Sequence, residues 1–255
     1  MALEMAFQSG KNGSHVGPGL STVDIFAALY GRVLRFDKGN TFDENRDRLI
    51  VSKGHCVLSY YAALYLSGLI SIDIVHNFEK NGSHFHGHAM RNLANGIEFS
   101  GGSLSMGMSF AVGEALACRK KGLNSRVYVI VGDGECDEGL IWEAAMSASH
   151  FGLNNLTVIV DENKLQYDGL TKDVMNPLDL TSKFQAFGFD TERVDGHNPD
   201  LLAAALERQT DKPRCIIADT IKGKGVSFIE GMKEWHHAVL SEEDYRKALA
   251  EVENN

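Results

Sequence analysis

Two uninterrupted runs of mostly branched apolar residues, at 127–131 and 156–160, flank one amphipathic, helix-length stretch at 140–151, and this arrangement constrains the fold more than any other feature of the chain. Such runs are the pattern of strands covered on both faces, and a helix between two of them makes a β-α-β unit. These units are overwhelmingly right-handed and bring both strand ends to one edge of a parallel sheet, where open α/β folds bind ligands. Asp133 lies just past the first run and Asn163 just past the second. Neighbouring strands are about 5 Å apart. Two short oxygen-bearing side chains at that separation can share one hard cation, which prefers oxygen ligands and often keeps phosphate oxygens in its shell. The pattern predicts a metal-diphosphate site.

The remaining elements predict a doubly wound α/β fold, its sheet mostly parallel and its helices on both faces. The glycine-rich segment 10–19 is expected to be a loop, with Ser21 and Asp24 as a capping box for a helix reaching Arg35. A strand at 49–52 leads into Lys53-Gly54-His55 and a helix carrying Leu58, Tyr61, Leu64 and Tyr65. A polar loop at 81–95 precedes the segment 101–107 and a helix to about Arg119, whose Gly, Ala and Ser content suits a close subunit contact. A loop at 168–179, a helix at 180–187, an edge strand near 191–194, a helix at 199–209 and a strand at 214–219 complete the pattern. With 255 residues, 44% of them hydrophobic, the chain can bury the core of one α/β domain spanning 1–255.

A formal charge of −9 argues against a general nucleic-acid-binding surface, so an anionic ligand would need a local basic pocket. Cys56, Cys118, Cys136 and Cys215 show no Cys-x-x-Cys spacing, which disfavours a structural zinc site or a disulfide framework and fits a reducing cytoplasm. The first residues lack a signal-peptide pattern, and no run reaches membrane-spanning length.

Gly132-Asp133-Gly134 alone would read as a turn. In its strand-to-helix setting, the glycines let backbone N–H groups approach a phosphate and the next helix points its positive end at the same anion. Asp161-Glu162-Asn163-Lys164 follows about thirty residues later and supplies the second ligand, with the carbonyl near Leu165 as a third. His84-x-His86-x-His88 could bind zinc if extended, but no fourth ligand is nearby, and a solvated loop contributing only His88 is the preferred reading. His197, in Asp195-Gly-His-Asn198, reads as a turn and helix-entry residue. Glu234-Trp-His-His237 is either an amphipathic turn or a source of imidazoles for phosphate binding and proton exchange.

Gly-Asp-Gly followed at this distance by Asn resembles the thiamine diphosphate signature, and the segment 132–144 resembles its transketolase version. The likeness extends through Gly13-Ser-His15, Ser52-Lys-Gly-His55, Gly87-His88, Gly102-Ser-Leu104 with Gly107, Val194-Asp-Gly-His197 and Trp235-His-His237. The length matches only the N-terminal half of the usual transketolase. By position, the resemblance implies that Asp133, Asn163 and the Leu165 carbonyl hold magnesium, or another divalent cation such as calcium or manganese. His55, Gly132, Gly134, Glu135 and Lys222 fall in the cofactor-binding set, with His55, Gly134 and Lys222 toward the diphosphate, and Gly102 and Leu104 lie against the aminopyrimidine. His15, His55, His88 and one of His236 or His237 form the candidate catalytic set, with His15 and His88 near the sugar hydroxyls. Glu138 falls at a dimer interface.

The implied reaction moves a two-carbon ketol unit from a ketose to an aldose. The family's pyrimidine-binding and C-terminal domains, and its activating glutamate, would come from a partner chain, most simply in an assembly with two copies of each subunit. The sequence departs from the family at Leu104-Ser-Met-Gly107, where Leu-Gly-Gln-Gly is usual, and at Ala89-Met90, where Pro and an acidic residue are usual; the second bears on substrate preference. The family's leading helix is not expected before Gly10. The alternatives are a related thiamine enzyme, such as a 2-oxo-acid dehydrogenase E1 α subunit or a deoxyxylulose-phosphate synthase fragment, and a non-catalytic subunit that keeps the fold.

Overall fold

Five parallel strands in the order β1-β2-β3-β5-β4 form the centre of the computed structural model, which describes residues 1–254 apart from the side chain of Ile74. They are β1 (Arg48–Val51), β2 (Val127–Gly132), β3 (Leu156–Glu162), β4 (Asp190–Asp195) and β5 (Arg214–Asp219). Before β1 lie α1 (Ala2–Gln8), α2 (Val16–Ser21) and α3 (Val23–Ala28). Between β1 and β2 come α4 (Val57–Leu66), α5 (Ile72–His76) and α6 (Met106–Lys120). Then follow α7 (Gly139–His150), α8 (Thr171–Val174), α9 (Leu180–Ala186), α10 (Pro199–Glu207) and α11 (Glu242–Glu253).

The apolar runs are continuous because alternate residues serve two cores. Tyr128 and Ile130 join Ile159, Ile216 and Ala218 on one face; Val127, Val129 and Val131 join Val158, Val160 and Ile217 on the other. The first core takes Met5, Phe26, Leu58 and Leu202 from α1, α3, α4 and α10, and the second takes Ala111, Ile141 and Phe184 from α6, α7 and α9. Right-handed crossovers explain the division. The chain moves outward along the sheet from β1 to β4 with α6, α7 and α9 on one face. From β4 it steps back to β5, so α10 must cross on the other face.

The beginning of the chain differs from expectation. The glycine-rich segment already turns helical at Val16, and no single helix runs from Ser21 to Arg35: Thr22 separates α2 from α3, and a wider π-type turn spans Leu29–Val33. Ser21 does not cap. Its hydroxyl reaches Pro18 O at 2.9 Å and Asp161 Oδ2 at 2.7 Å, while Thr22 Oγ1 bonds Gly19 O and Ser59 Oγ; such side-chain bonds compete with the helix ladder. A short leading helix is also present, as Leu3, Met5 and Ala6 are buried and Phe7 stacks on Tyr245 of α11 at 4.7 Å. Within the expected loop 168–179, Thr171–Val174 is helical.

The small residues of α6 divide between two roles. Ala111 and Ala115 are buried toward the sheet, while Gly113 has open space around it. A Cβ on Gly107 would lie 2.6 Å from Ser52 Cβ and 2.7 Å from Ser52 Cα, so the close approach at this position is intramolecular. It brings the start of α6 onto the end of β1, one residue before Lys53.

Candidate active site

The carboxyl ends of β1, β2, β3 and β5 open into one cleft of about 270 Å³. His15, His55, His88, Gly102, Leu104, Gly132, Asp133, Gly134, Glu135, Asn163, Leu165, Lys222 and His236 all line it. Of the expected residues only His237 lies outside this lining. It belongs instead to a smaller adjoining pocket with Lys233, sharing Tyr167 and His236 with the cleft, and its ring centroid is 4.6 Å from that of His15.

Asp133 and Asn163 converge because β2 and β3 are hydrogen-bonded neighbours, with Gly132 opposite Asp161. Asp133 Oδ1 accepts from Gly134 N at 2.8 Å, and Oδ2 accepts from Lys164 N at 2.7 Å and Thr171 Oγ1 at 3.1 Å. These bonds tie the two strand ends together. They also hold Lys164 at φ +65°, a left-handed turn costly for a non-glycine residue, between Asn163 and Leu165. Asn163 Oδ1 accepts from Leu165 N at 3.1 Å. Burial, followed by the nearby Asp161, pushes the Asp133 carboxyl up to about 6.

One carboxylate, one amide oxygen and one backbone carbonyl form an all-oxygen donor set suited to a hard divalent cation. A positive charge already rests at its edge: Lys222 Nζ donates to the Leu165 and Gln166 carbonyls, each at 3.2 Å, and lies 2.8 Å from His236 Nδ1. Burial, then Lys53, pulls the Lys222 ammonium down to about 8. The donor set and this resident ammonium fit a cation there. Beside it, a Cβ on Gly134 would lie 2.6 Å from Gln166 Cγ, so any larger residue there would displace the Gln166 side chain from its place in the cleft. Among the described residues, no group of three or more His, Cys, Asp or Glu is placed to hold a metal. His84 lines a separate surface pocket with Asp73, while His88 lines the cleft.

Around His15 lie His55, His88 and His236, with ring centroids 5.8, 5.3 and 5.6 Å away. Its buried Nδ1 has no hydrogen-bond partner among the described residues, leaving a polar atom for a ligand within the cluster. Burial, then His237 and His88, pulls His15 down to about 3; burial, then Lys222, does the same to His236. Burial also lowers His55, helped by Lys53, and His88. Neutral imidazoles keep one acceptor and one donor nitrogen each, which suits hydroxyl recognition and proton exchange.

This neutrality has a consequence for acid stability. A histidine kept neutral in the fold but free to protonate from its ordinary 6.5 when unfolded gains its proton only on unfolding, so stability is full above about pH 6.5 and falls below it. Burial raises Asp133 and Glu135, which act oppositely; Asp133 does so only over the span from 3.8 to about 6. The melting temperature is expected to drop by several degrees from about pH 7 to about pH 5. His15→Gln/His236→Gln should flatten the slope; an unchanged slope in that variant would remove these histidines as its source.

Several participants are not evident from the sequence. Lys53 and Asp161 form a fully buried ion pair. Burial opposes both charges, yet their mutual attraction wins, leaving the ammonium raised and the carboxyl lowered. Ser21, Thr220 and Asn163 also donate to Asp161. Gln166 and Tyr167 line the cleft, and Gln166 Nε2 donates to Asp137 at 2.7 Å. Glu135, expected to bind cofactor, accepts from Ser52 Oγ, Ser105 N and Gly132 N, so its carboxylate braces the loop from within. Asn198 caps α10; His197 instead sets Nδ1 2.9 Å from Asp24 Oδ2 and accepts from Ile221 N at 2.8 Å, steadying the segment that carries Lys222. The Ser52-Lys53 and Asp161-Glu162-Asn163 motifs are the available signals for the ion pair, but their charges cannot be matched without the register.

A family model described as the thiamine diphosphate binding domain of transketolase matches residues 2–252. The chain belongs to the transketolase family. It is 43% identical over 249 residues to the 6-deoxy-6-sulfo-D-fructose transketolase subunit SqwG of Clostridium sp. (strain MSTE9), covering 96% of this chain and 90% of the relative. Identity is 39% over 244 residues to an apulose-4-phosphate transketolase subunit of Actinobacillus succinogenes, covering 95% and 88%. The solved transketolase of Campylobacter jejuni matches with a TM-score of 0.88 at 29% identity, over 99% of this chain and 42% of that one. The Pichia stipitis transketolase solved with sedoheptulose-7-phosphate matches with a TM-score of 0.89 at 26% identity, over 99% and 39%.

This transketolase chain therefore matches split-enzyme subunits nearly end to end and single-chain transketolases over about two fifths of their length. The relatives decide between the alternatives drawn from the sequence: the chain is a thiamine diphosphate-dependent transferase of the transketolase type, acting in ketol transfer. No helix among the described residues is long and apolar enough to cross a membrane.

Proposed function

We propose that this chain is the diphosphate-binding half of a two-component transketolase and works in the cytoplasm with a partner that supplies the pyrimidine-binding and C-terminal domains. The single observation that carries the reading is the convergence of Asp133, Asn163 and the Leu165 carbonyl in one cleft with the histidine cluster. Those three groups would hold magnesium or a similar divalent cation. His55, Gly134 and Lys222 would meet the diphosphate, and Gly102 and Leu104 the aminopyrimidine. When bound, thiamine diphosphate supplies the electron sink for breaking and making the ketol carbon–carbon bond.

The protein's own task is to orient the sugar and handle its protons. His15 and His88 line the cleft as neutral imidazoles and are suited to the sugar hydroxyls, His15 through its unpartnered Nδ1. His236, against Lys222, is turned toward the diphosphate end, and His237 toward the outer pocket. The two therefore take different positions on the substrate path.

Support for a partner comes from the cleft's rim. Leu104 and Tyr167 line the cleft yet are exposed, and Met106, Leu170, Val174, Met175 and Leu178, close to them in sequence, are exposed as well. Exposed apolar side chains beside the cleft would suit burial against a partner. Two copies of each subunit, with Glu138 near the contact, is the simplest assembly. The donor we infer is a ketose with a distal phosphate or sulfonate, as in the names of the two relatives.

Reconstitution tests the reading. This chain, its candidate partner and their mixture would be assayed with thiamine diphosphate and Mg²⁺ on a panel of ketose phosphates, sulfonated ketoses and 2-oxo acids. Ketol transfer is expected only from the mixture and only with ketoses. Turnover by this chain alone would overturn the division of the site, and turnover of a 2-oxo acid would overturn the donor class.

A further inference from the structure

We propose that Asp161, paired with Lys53, is the positioning residue that turns the Asn163 amide so that its oxygen, and not its nitrogen, faces the cation corner. The inference rests on the proposed cation site and adds to it the device that prepares one of its donors. An asparagine amide has two ends of nearly equal size and opposite polarity, one an acceptor and the other carrying two donors. Only the oxygen can serve a cation. Turned over, the same side chain would point N–H groups at the ion.

The hydrogen bonds allow one orientation. Asn163 Nδ2 donates to Asp161 Oδ2 at 3.1 Å, and Asn163 Oδ1 accepts from Leu165 N at 3.1 Å. A carboxylate paired with an ammonium only accepts. A reversed amide would set oxygen against oxygen at Asp161 and N–H against N–H at Leu165, losing both bonds at a site where Asp161 has no access to water.

Lys53 makes the carboxylate tenable in that setting. Its Nζ reaches the same Oδ2, while Ser21 Oγ donates to Oδ2 at 2.7 Å and Thr220 Oγ1 to Oδ1. Segments around residues 21, 53, 163 and 220 thus meet at one charge. Well-packed apolar side chains could join these segments at least as stably as a buried ion pair. They could not accept from Asn163 Nδ2, and that acceptor, opposite the Leu165 N–H that holds the oxygen, is what Asp161 adds.

The test uses the full chain reconstituted with its candidate partner, with saturating thiamine diphosphate, MnCl₂ as the probe, paramagnetic resonance to read Mn²⁺ affinity, and thermal unfolding to confirm the fold. Asp161→Asn is expected to weaken Mn²⁺ binding about 10- to 100-fold, as loss of an outer partner of a metal ligand does, because an amide at 161 can accept either end of Asn163. The charge-conserving swap D161N/N163D should recover most of the loss, since a carboxylate at 163 offers oxygen however it is turned. Should Asp161→Asn fail to fold, K53M/D161L, which replaces the pair with apolar side chains, is expected to fold and still bind Mn²⁺ weakly. Wild-type affinity in any folded variant lacking Asp161 other than the swap, or a folded swap no better than folded Asp161→Asn, overturns the proposal. Absence of Mn²⁺ binding by the wild-type chain would instead overturn the cation site beneath it.

Discussion

Asp133→Ala is expected to leave the fold in place and abolish cation-dependent retention of thiamine diphosphate, weakening Mg²⁺-supported cofactor affinity by at least about 100-fold, the upper end of what loss of a mere outer partner costs. Asp133 supplies the only negative charge among the three proposed donors. Its carboxylate also accepts from Gly134 N and Lys164 N, so the substitution removes the charge and slackens the left-handed turn that aims Asn163 and Leu165. Stability should change much less than affinity. Relief of a buried carboxylate beside Asp161, whose burial pushes it up to about 6, offsets part of the lost hydrogen bonding. Calorimetric titration of the cofactor, with Mg²⁺ and then with a chelator, separates the two effects; a cofactor affinity equal to that of the wild type would remove Asp133 from the site.

Lys53→Met should have the largest effect on stability. It leaves Asp161 fully buried without its cation, a change that costs about 3–5 kcal/mol. At roughly 2–4 °C per kcal/mol for a chain of this size, the melting temperature should fall by about 6–20 °C. Most of the loss should return in K53M/D161L, because an apolar pair of similar volume leaves no uncompensated charge. A single variant that melts within a degree of the wild type would mean that Asp161 finds another cation or takes up a proton. The rescued double variant also separates stability from cation affinity, which it should not restore.

Much of the site is legible in the sequence because its residues lie just past strands that declare themselves. The runs 127–131 and 156–160 within β2 and β3 are mostly apolar, so the strand ends, and with them Asp133 and Asn163, can be put at one sheet edge without coordinates. The histidines are legible through the family likeness, although their mutual approach around His15 is not. The start of the chain misleads because Ser21 and Asp24 have the spacing of a capping box, yet Ser21 is turned inward to a carboxylate 140 residues away. His197 has the sequence setting of a helix-entry residue, a role that Asn198 fills, while its ring joins Asp24 to the Lys222 segment.

The sequence by itself determined the α/β class and the edge of the sheet at which Asp133 and Asn163 lie, because these follow from local periodicity and the handedness of β-α-β units. Tertiary structure alone decided which charges meet. Lys53 could have paired with any of the 34 acidic residues, and only parallel pairing of β1 with β2 and of β2 with β3 brings it to Asp161. Neutrality of the histidines, the resting place of Lys222 and the orientation of Asn163 were decided in the same way. Each depends on burial and on partners distant in sequence, and neither quantity exists until the strands have taken their places.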